Sequence, residues 1–256
     1  MPNKQTGSPV TAACNPKIEA YLQDDPQFLQ VYQEFVSIPW KNNHLNTKVK
    51  ALLLVALSAS PTHLSGSATR YSIRSAFEAG ATREEIAEIL KIVSILGVHA
   101  CSAAIPLVMQ HFGEGTDGVT DENSVAESEI SYTPEQLARK ERFVQTMGYW
   151  NDFRDYLLVK DEAYFDAYYE FLTVPIRRGA LEPKLVEFVY IAIDSSTTHL
   201  FPKGIDLHIA NAKKYGATEG EIVEVIQLAS TQGFDTLLHM YPILDEEAEN
   251  YTKVKG

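Results

Sequence analysis

Residues 208–224 read His-Ile-Ala-Asn-Ala-Lys-Lys-Tyr-Gly-Ala-Thr-Glu-Gly-Glu-Ile-Val-Glu. Gly216 stands where a helix ending at Tyr215 needs a left-handed residue, which glycine supplies without a Cβ clash. Thr218 then reads as an N-cap, with Glu221 three residues on to return the bond, the capping-box pattern. Ile222, Val225, Ile226 and Ala229 follow at i, i+3, i+4 and i+7, the apolar stripe of a second helix. The stretch predicts helix, tight stop, helix.

The same grammar occurs 136 residues earlier. Ser72 to Ala79 ends at Gly80, Thr82 caps, Glu85 closes the box, and Ile86, Ile89, Leu90 and Val93 form the stripe. Extended outward, Asp25–Val108 matches Asp161–Leu244 at that offset without a gap. Glu34-Phe35 recurs as Glu170-Phe171, Pro39 as Pro175, Thr62-His63-Leu64 as Thr198-His199-Leu200, and Gly97 and Pro106 as Gly233 and Pro242. A register held that far marks an internal duplication.

The apolar runs Val49–Leu57 and Leu185–Ile193 are each led in by a lysine. Their flanks have helical period, no hairpin turn pair brackets them, and Pro183 sits at a first helical turn, so both predict helices. Thr133-Pro134-Glu135-Gln136 predicts another capped start, for a helix carrying Phe143, Val144 and Met147 toward a core. The expected fold is all-α, two tandem helical repeats packed with pseudo-symmetry. Its parts are a flexible tail (1–16), a first repeat (17–112), an acidic Gly/Ser-rich linker (113–132) and a second repeat (133–248).

Of 256 residues, 45% are apolar, enough for a sizeable core. The net charge of −12, with no basic run, argues against a nucleic-acid partner. Two cysteines, Cys14 and Cys101, exclude a disulfide framework and a Cys-based zinc site. Polar residues break the apolar stretches, so no membrane partner is expected. Residues 1–16 have no apolar signal core, which points to a cytoplasmic protein. There is no Gly-x-Gly-x-x-Gly and no Walker loop, so no nucleotide cofactor is expected.

The run His208-Ile209-x-x-Ala212-x-x-x-Gly216-Ala217-Thr218-x-x-Glu221-Ile222-x-Glu224 resembles the carboxymuconolactone decarboxylase and alkylhydroperoxidase D superfamily, and Gly148-Tyr149-Trp150-Asn151-Asp152-Phe153 resembles a tandem-repeat subgroup of it. The resemblance implies alkylhydroperoxidase D-like helical repeats and a homo-oligomer, a trimer of double repeats mimicking a hexamer of single ones. Peroxidase members carry a Glu, a Cys-x-x-Cys pair and a His. Counting back from His208, the thiol positions hold Phe201 and Gly204, so thiol peroxidase chemistry has no nucleophile here. The remaining branch implies a cofactor-independent lyase that removes CO2 from a small carboxylated or enolisable ring compound.

The halves differ where chemistry would sit. The second has Glu187, His199 and His208, and the first has Ala51, His63 and Ser72. With a two-residue insertion, the resemblance puts His199 at a thiol position and His208 at the family His. Glu187, His199 and His208 are thus the catalytic candidates: an imidazole moves protons near neutral pH and a carboxylate orients it. Tyr190 or Thr198 would hold an enolate oxygen, and His63 and Arg74, with Arg70, would bind substrate from the first half.

Structural roles compete for each of these residues. The repeated Thr-His-Leu suits helix-capping histidines, Glu187 suits an ion pair with Arg177 or Arg178, and Asp194 suits an N-cap for Ser196–His199. The same side chains also suit a non-catalytic helical scaffold or small-molecule-binding protein. A Glu and two His can hold Zn or Fe(II), but these spacings match no ligand motif such as His-Glu-x-x-His, so no metal is assigned.

Overall fold

The computed structural model describes residues 13–112 and 131–255, the side chain of Arg178 apart. Every element among them is helical: α1 (Pro16–Tyr21), α2 (Pro26–Lys41), α3 (Thr47–Ala59), α4 (Gly66–Glu78), α5 (Arg83–Ser94), α6 (His99–Phe112), α7 (Pro134–Met147), α8 (Phe153–Lys160), α9 (Glu162–Arg178), α10 (Pro183–Asp194), α11 (Pro202–Lys214), α12 (Glu219–Ser230) and α13 (Asp235–Lys255). Short 3-10 turns, Ile95–Val98 and Thr231–Phe234, precede α6 and α13.

The predicted punctuation is present. Gly80 and Gly216 take φ of 85° and 79°. Thr218 and Glu221 close a capping box, as do Thr133 and Gln136. Thr82 and Glu85 exchange the same two bonds.

One compact unit comprises the chain up to Ser94 together with Ala180 onward. Its centre is the pair of apolar helices α3 and α10, packed on each other. Helix α3 packs on α4 and α5 of its own half and on α12 of the other, and α10 packs on α11 and α12 and on α5. Leu52, Leu53, Val55 and Ala56 and their counterparts Phe188, Val189, Ile191 and Ala192 are all buried. Polar bonds repeat with the same offset: Lys48–Glu85 at 2.7 Å and Lys184–Glu221 at 2.8 Å. Between the two halves, Thr62 Oγ1 and Thr198 Oγ1 meet at 3.0 Å, a residue bonded to its own counterpart, as a pseudo-two-fold axis requires. A buried ion pair, Lys50–Glu224 at 2.5 Å, joins α3 to α12.

The second unit is Ile95–Gly179. Phe143, Phe153, Phe165, Tyr168 and Tyr169 form an aromatic core with Leu157, Leu158 and Leu172. The Arg154 guanidinium is buried among the rings of Phe143, Tyr149 and Phe153, at 4.7, 4.9 and 4.5 Å. Asp155 accepts from Trp150 Nε1 at 2.8 Å and Lys140 Nζ at 3.0 Å.

The units cut across the repeats, because α3 to α5 and α10 to α12 bury their apolar faces on one another across the halves. Residues 13–16 are not a tail: Cys14 is buried with Ile18 and Tyr32, and Asn15 caps α1. The rest of the expected tail and residues 113–130 of the expected linker lie outside the described residues. Leu90 and Ile226, placed on the core stripes, are each 40% exposed, as is Val144, which lies a third of a turn from the buried Phe143. Arg83–Phe112 is, among the described residues, long and apolar enough to cross a membrane by length and composition alone. Its α5 portion nonetheless buries Ile86, Ile89, Ile92 and Val93 in the first unit's core.

Candidate active site

The spacing of 187, 190 and 194 places one glutamate, one tyrosine and one aspartate on a single face of α10. Gly204, His208 and Asn211 form the matching stripe of α11, and all three are buried. The two stripes face each other where α10 and α11 pack. Here His208 Nδ1 and Glu187 Oε2 meet at 2.7 Å, with both side chains largely buried. Tyr190 stacks on the His208 imidazole, ring centroids 4.4 Å apart and planes 17° apart. Of the predicted trio Glu187, His199 and His208, Glu187 and His208 meet directly, with Tyr190 beside them. Of the alternative partners expected for Glu187, Arg177 pairs with Glu170, and the side chain of Arg178 lies outside the described residues.

Asp194, expected as an N-cap, is a further polar residue at this contact. Its side chain is fully buried. The amides of Ser196 and His199 bond the carbonyls of Ile193 and Ser196, so the expected N-cap is not its role. Burial drives its carboxyl up to about 7, partly offset by the positive charge of nearby His208. Space for it exists because position 204 is glycine: a Cβ there would stand 2.0 Å from Asp194 Oδ2. The available signal was its place on the Glu187–Tyr190 stripe, in a helix otherwise apolar.

His199 Nε2 lies 3.7 Å from Asp194 Oδ1, and its ring is tilted against Phe201. Burial lowers its pKa, so it is neutral near pH 7. The next residue, Leu200, holds φ of 48°, and Leu64 repeats this at 46°. A left-handed leucine is strained, and it is held by the turn's backbone bonds, Leu64 N to Ser60 O at 2.7 Å and Leu200 N to Ser196 O at 3.0 Å.

The other predicted residues go elsewhere. Thr198 joins Thr62 and Ser196 in a hydroxyl cluster. His63 Nε2 bonds Asp235 Oδ2 at 2.7 Å. Arg74, like Arg70, is exposed, two positions from the buried Ser72 and so on the opposite face of α4. It takes no part in the Glu187–His208 cluster. Burial and Glu19 push the Cys14 thiol up to about 11, which keeps it protonated.

Fold and site together define an all-α tandem-repeat protein built around a carboxylate–imidazole pair. Residues 162–246 match the model of the carboxymuconolactone decarboxylase family. A Burkholderia xenovorans LB400 protein of known structure, described as a candidate gamma-carboxymuconolactone decarboxylase subunit, is 31% identical, with a TM-score of 0.82 over 96% of this chain and 99% of that one. Comparison with curated proteins gave no match. The chain belongs to the carboxymuconolactone decarboxylase family.

Proposed function

We propose that the second half is a cofactor-independent, decarboxylase-like lyase acting on a small carboxylated or enolisable ring compound. The observation that carries this reading is the 2.7 Å bond between His208 Nδ1 and Glu187 Oε2. A carboxylate accepting from Nδ1–H fixes the tautomer and stabilises the imidazolium, leaving Nε2 as the working nitrogen. The C–C bond to the carboxylate breaks, CO2 departs, and the electron pair enters the conjugated ring as a dienolate. His208 Nε2–H then delivers its proton to carbon, and solvent reprotonates the ring, so one proton is consumed per CO2 released. Asp194, protonated below about pH 7, adds no charge against an anionic substrate. The buried, protonated Cys14 supports a route other than thiol peroxidation.

The test is CO2 release from carboxylated unsaturated lactones, run in D2O. One deuterium should be incorporated per CO2 released, at a carbon that carries the dienolate charge. His208→Ala should lower kcat by roughly 100- to 10,000-fold, the usual worth of a general acid. Full turnover by His208→Ala would end the reading.

A further inference from the structure

A cavity lined by both halves is not used by the proposed reaction. The repeat offset maps Tyr190, Asp194, Gly204 and His208 onto Leu54, Ser58, Ala68 and Ser72. All four of these line a cavity of about 60 Å³. Leucine for tyrosine and serine for aspartate and histidine remove side-chain volume, and the methyl of Ala68 restores little of it.

The polar wall is rich in acceptors. Ser58 Oγ donates to Leu54 O at 2.8 Å, and Thr231 Oγ1 to Leu228 O at 2.7 Å. Gln232 Nε2 donates to Leu57 O at 3.1 Å. These protons are committed to backbone carbonyls, so lone pairs remain. Gln232 is only 7% exposed, and its Oε1 is buried with no hydrogen-bond partner. Asp235, the remaining polar residue of the wall, bonds His63 through Oδ2. No lysine or arginine lines the cavity. A buried acceptor without a donor is costly, and a carboxylate beside it selects for positive charge.

We propose that this cavity is a binding site for a small primary ammonium ion bearing a short alkyl group. Its N–H donors would bond Gln232 Oε1, Asp235 and Ser72, and the alkyl group would lie on Leu54 and Ala68. A carboxylate would instead meet the lone pairs of Gln232 Oε1 and the charge of Asp235.

The test is a ligand-observed NMR titration of the full chain with ethylammonium chloride, matched against ethanol and acetate. Saturable ethylammonium binding is expected, with Kd on the order of 1 mM, the limit for so few atoms. Ethanol should bind more weakly and acetate not at all. Gln232→Leu and Asp235→Asn should each weaken ethylammonium about tenfold or more. Ser72→Leu, which fills the cavity, should abolish binding while keeping the wild-type circular dichroism. His208→Ala should leave binding intact, which separates this site from the proposed catalytic one. Equal binding of all three probes, unchanged affinity in the variants, or a crystal structure in ethylammonium showing ordered water only would overturn the proposal.

Discussion

Asp194 shows how one residue couples burial to pH. Its carboxyl titrates at about 7 when folded, against about 3.9 in an unfolded chain. Below pH 4 both states hold the proton. Between about 4 and 7 only the folded state does, so stability falls as pH rises through that window and levels off above it. The loss is at most about 4 kcal/mol, at 1.36 kcal/mol per pH unit. Asp194→Asn should flatten this slope and unfold at higher urea than wild type at pH 8. An unchanged slope would show that Asp194 is ionised when folded. The Glu187–His208 pair was legible in the sequence, because a glutamate in an apolar helix needs a partner. The partner's identity came from the resemblance, not from spacing alone.

At the scale of elements, the contact between α10 and α11 is set by paired residues. In the second half an aspartate at 194 lies against a glycine at 204, and their first-half counterparts, Ser58 and Ala68, both line the small cavity. The missing Cβ and the longer carboxylate occupy the same space. Gly204→Ala should therefore cost about 1–3 kcal/mol in denaturant unfolding, as overpacking does. The double change Gly204→Ala with Asp194→Ser should recover part of it, since Phe201 Cδ1 would still lie 2.6 Å from the new Cβ, and should give a clear interaction energy in a double-mutant cycle. Additive effects would mean the two side chains do not compete. The caps of α7 and α12 were readable locally, because the Thr133–Gln136 and Thr218–Glu221 boxes involve neighbours within one turn. Which apolar residues lie outward was not readable. Leu90 and Ile226 belong to regular stripes, yet only the arrangement of neighbouring helices decides which edge of a stripe stays uncovered.

At the scale of the whole molecule, uncovered apolar surface repeats with the duplication. Helix α6 is apolar along its length and buries no residue, with Leu107 57% and Phe112 83% exposed. In α13 the counterparts of Leu107 and Val108 are Ile243 and Leu244, 53% and 60% exposed. Apolar surface of this kind marks association. We expect a homo-oligomer, with α6 and α13 in its contacts. Sedimentation without detergent should give a mass several times 28.6 kDa. Leu107→Glu with Ile243→Glu should dissociate it while leaving helix content unchanged. A monodisperse monomer, or a protein that needs detergent, would refute this.

The sequence by itself determined the duplication, the all-helical class and several helix ends, because these rest on periodicity and on capping between residues a turn apart. It also singled out Glu187, by its place in an apolar run, and His208, through the resemblance. Only the tertiary structure decided that the halves share one core. It also sent Arg74 to solvent and Thr198 to Thr62. It buried Asp194 against Gly204 and opened the acceptor-lined cavity at Ser58 and Ser72. These outcomes depend on which helix faces meet, which is a long-range packing choice. No local pattern encodes the size and charge of the space left between two such faces.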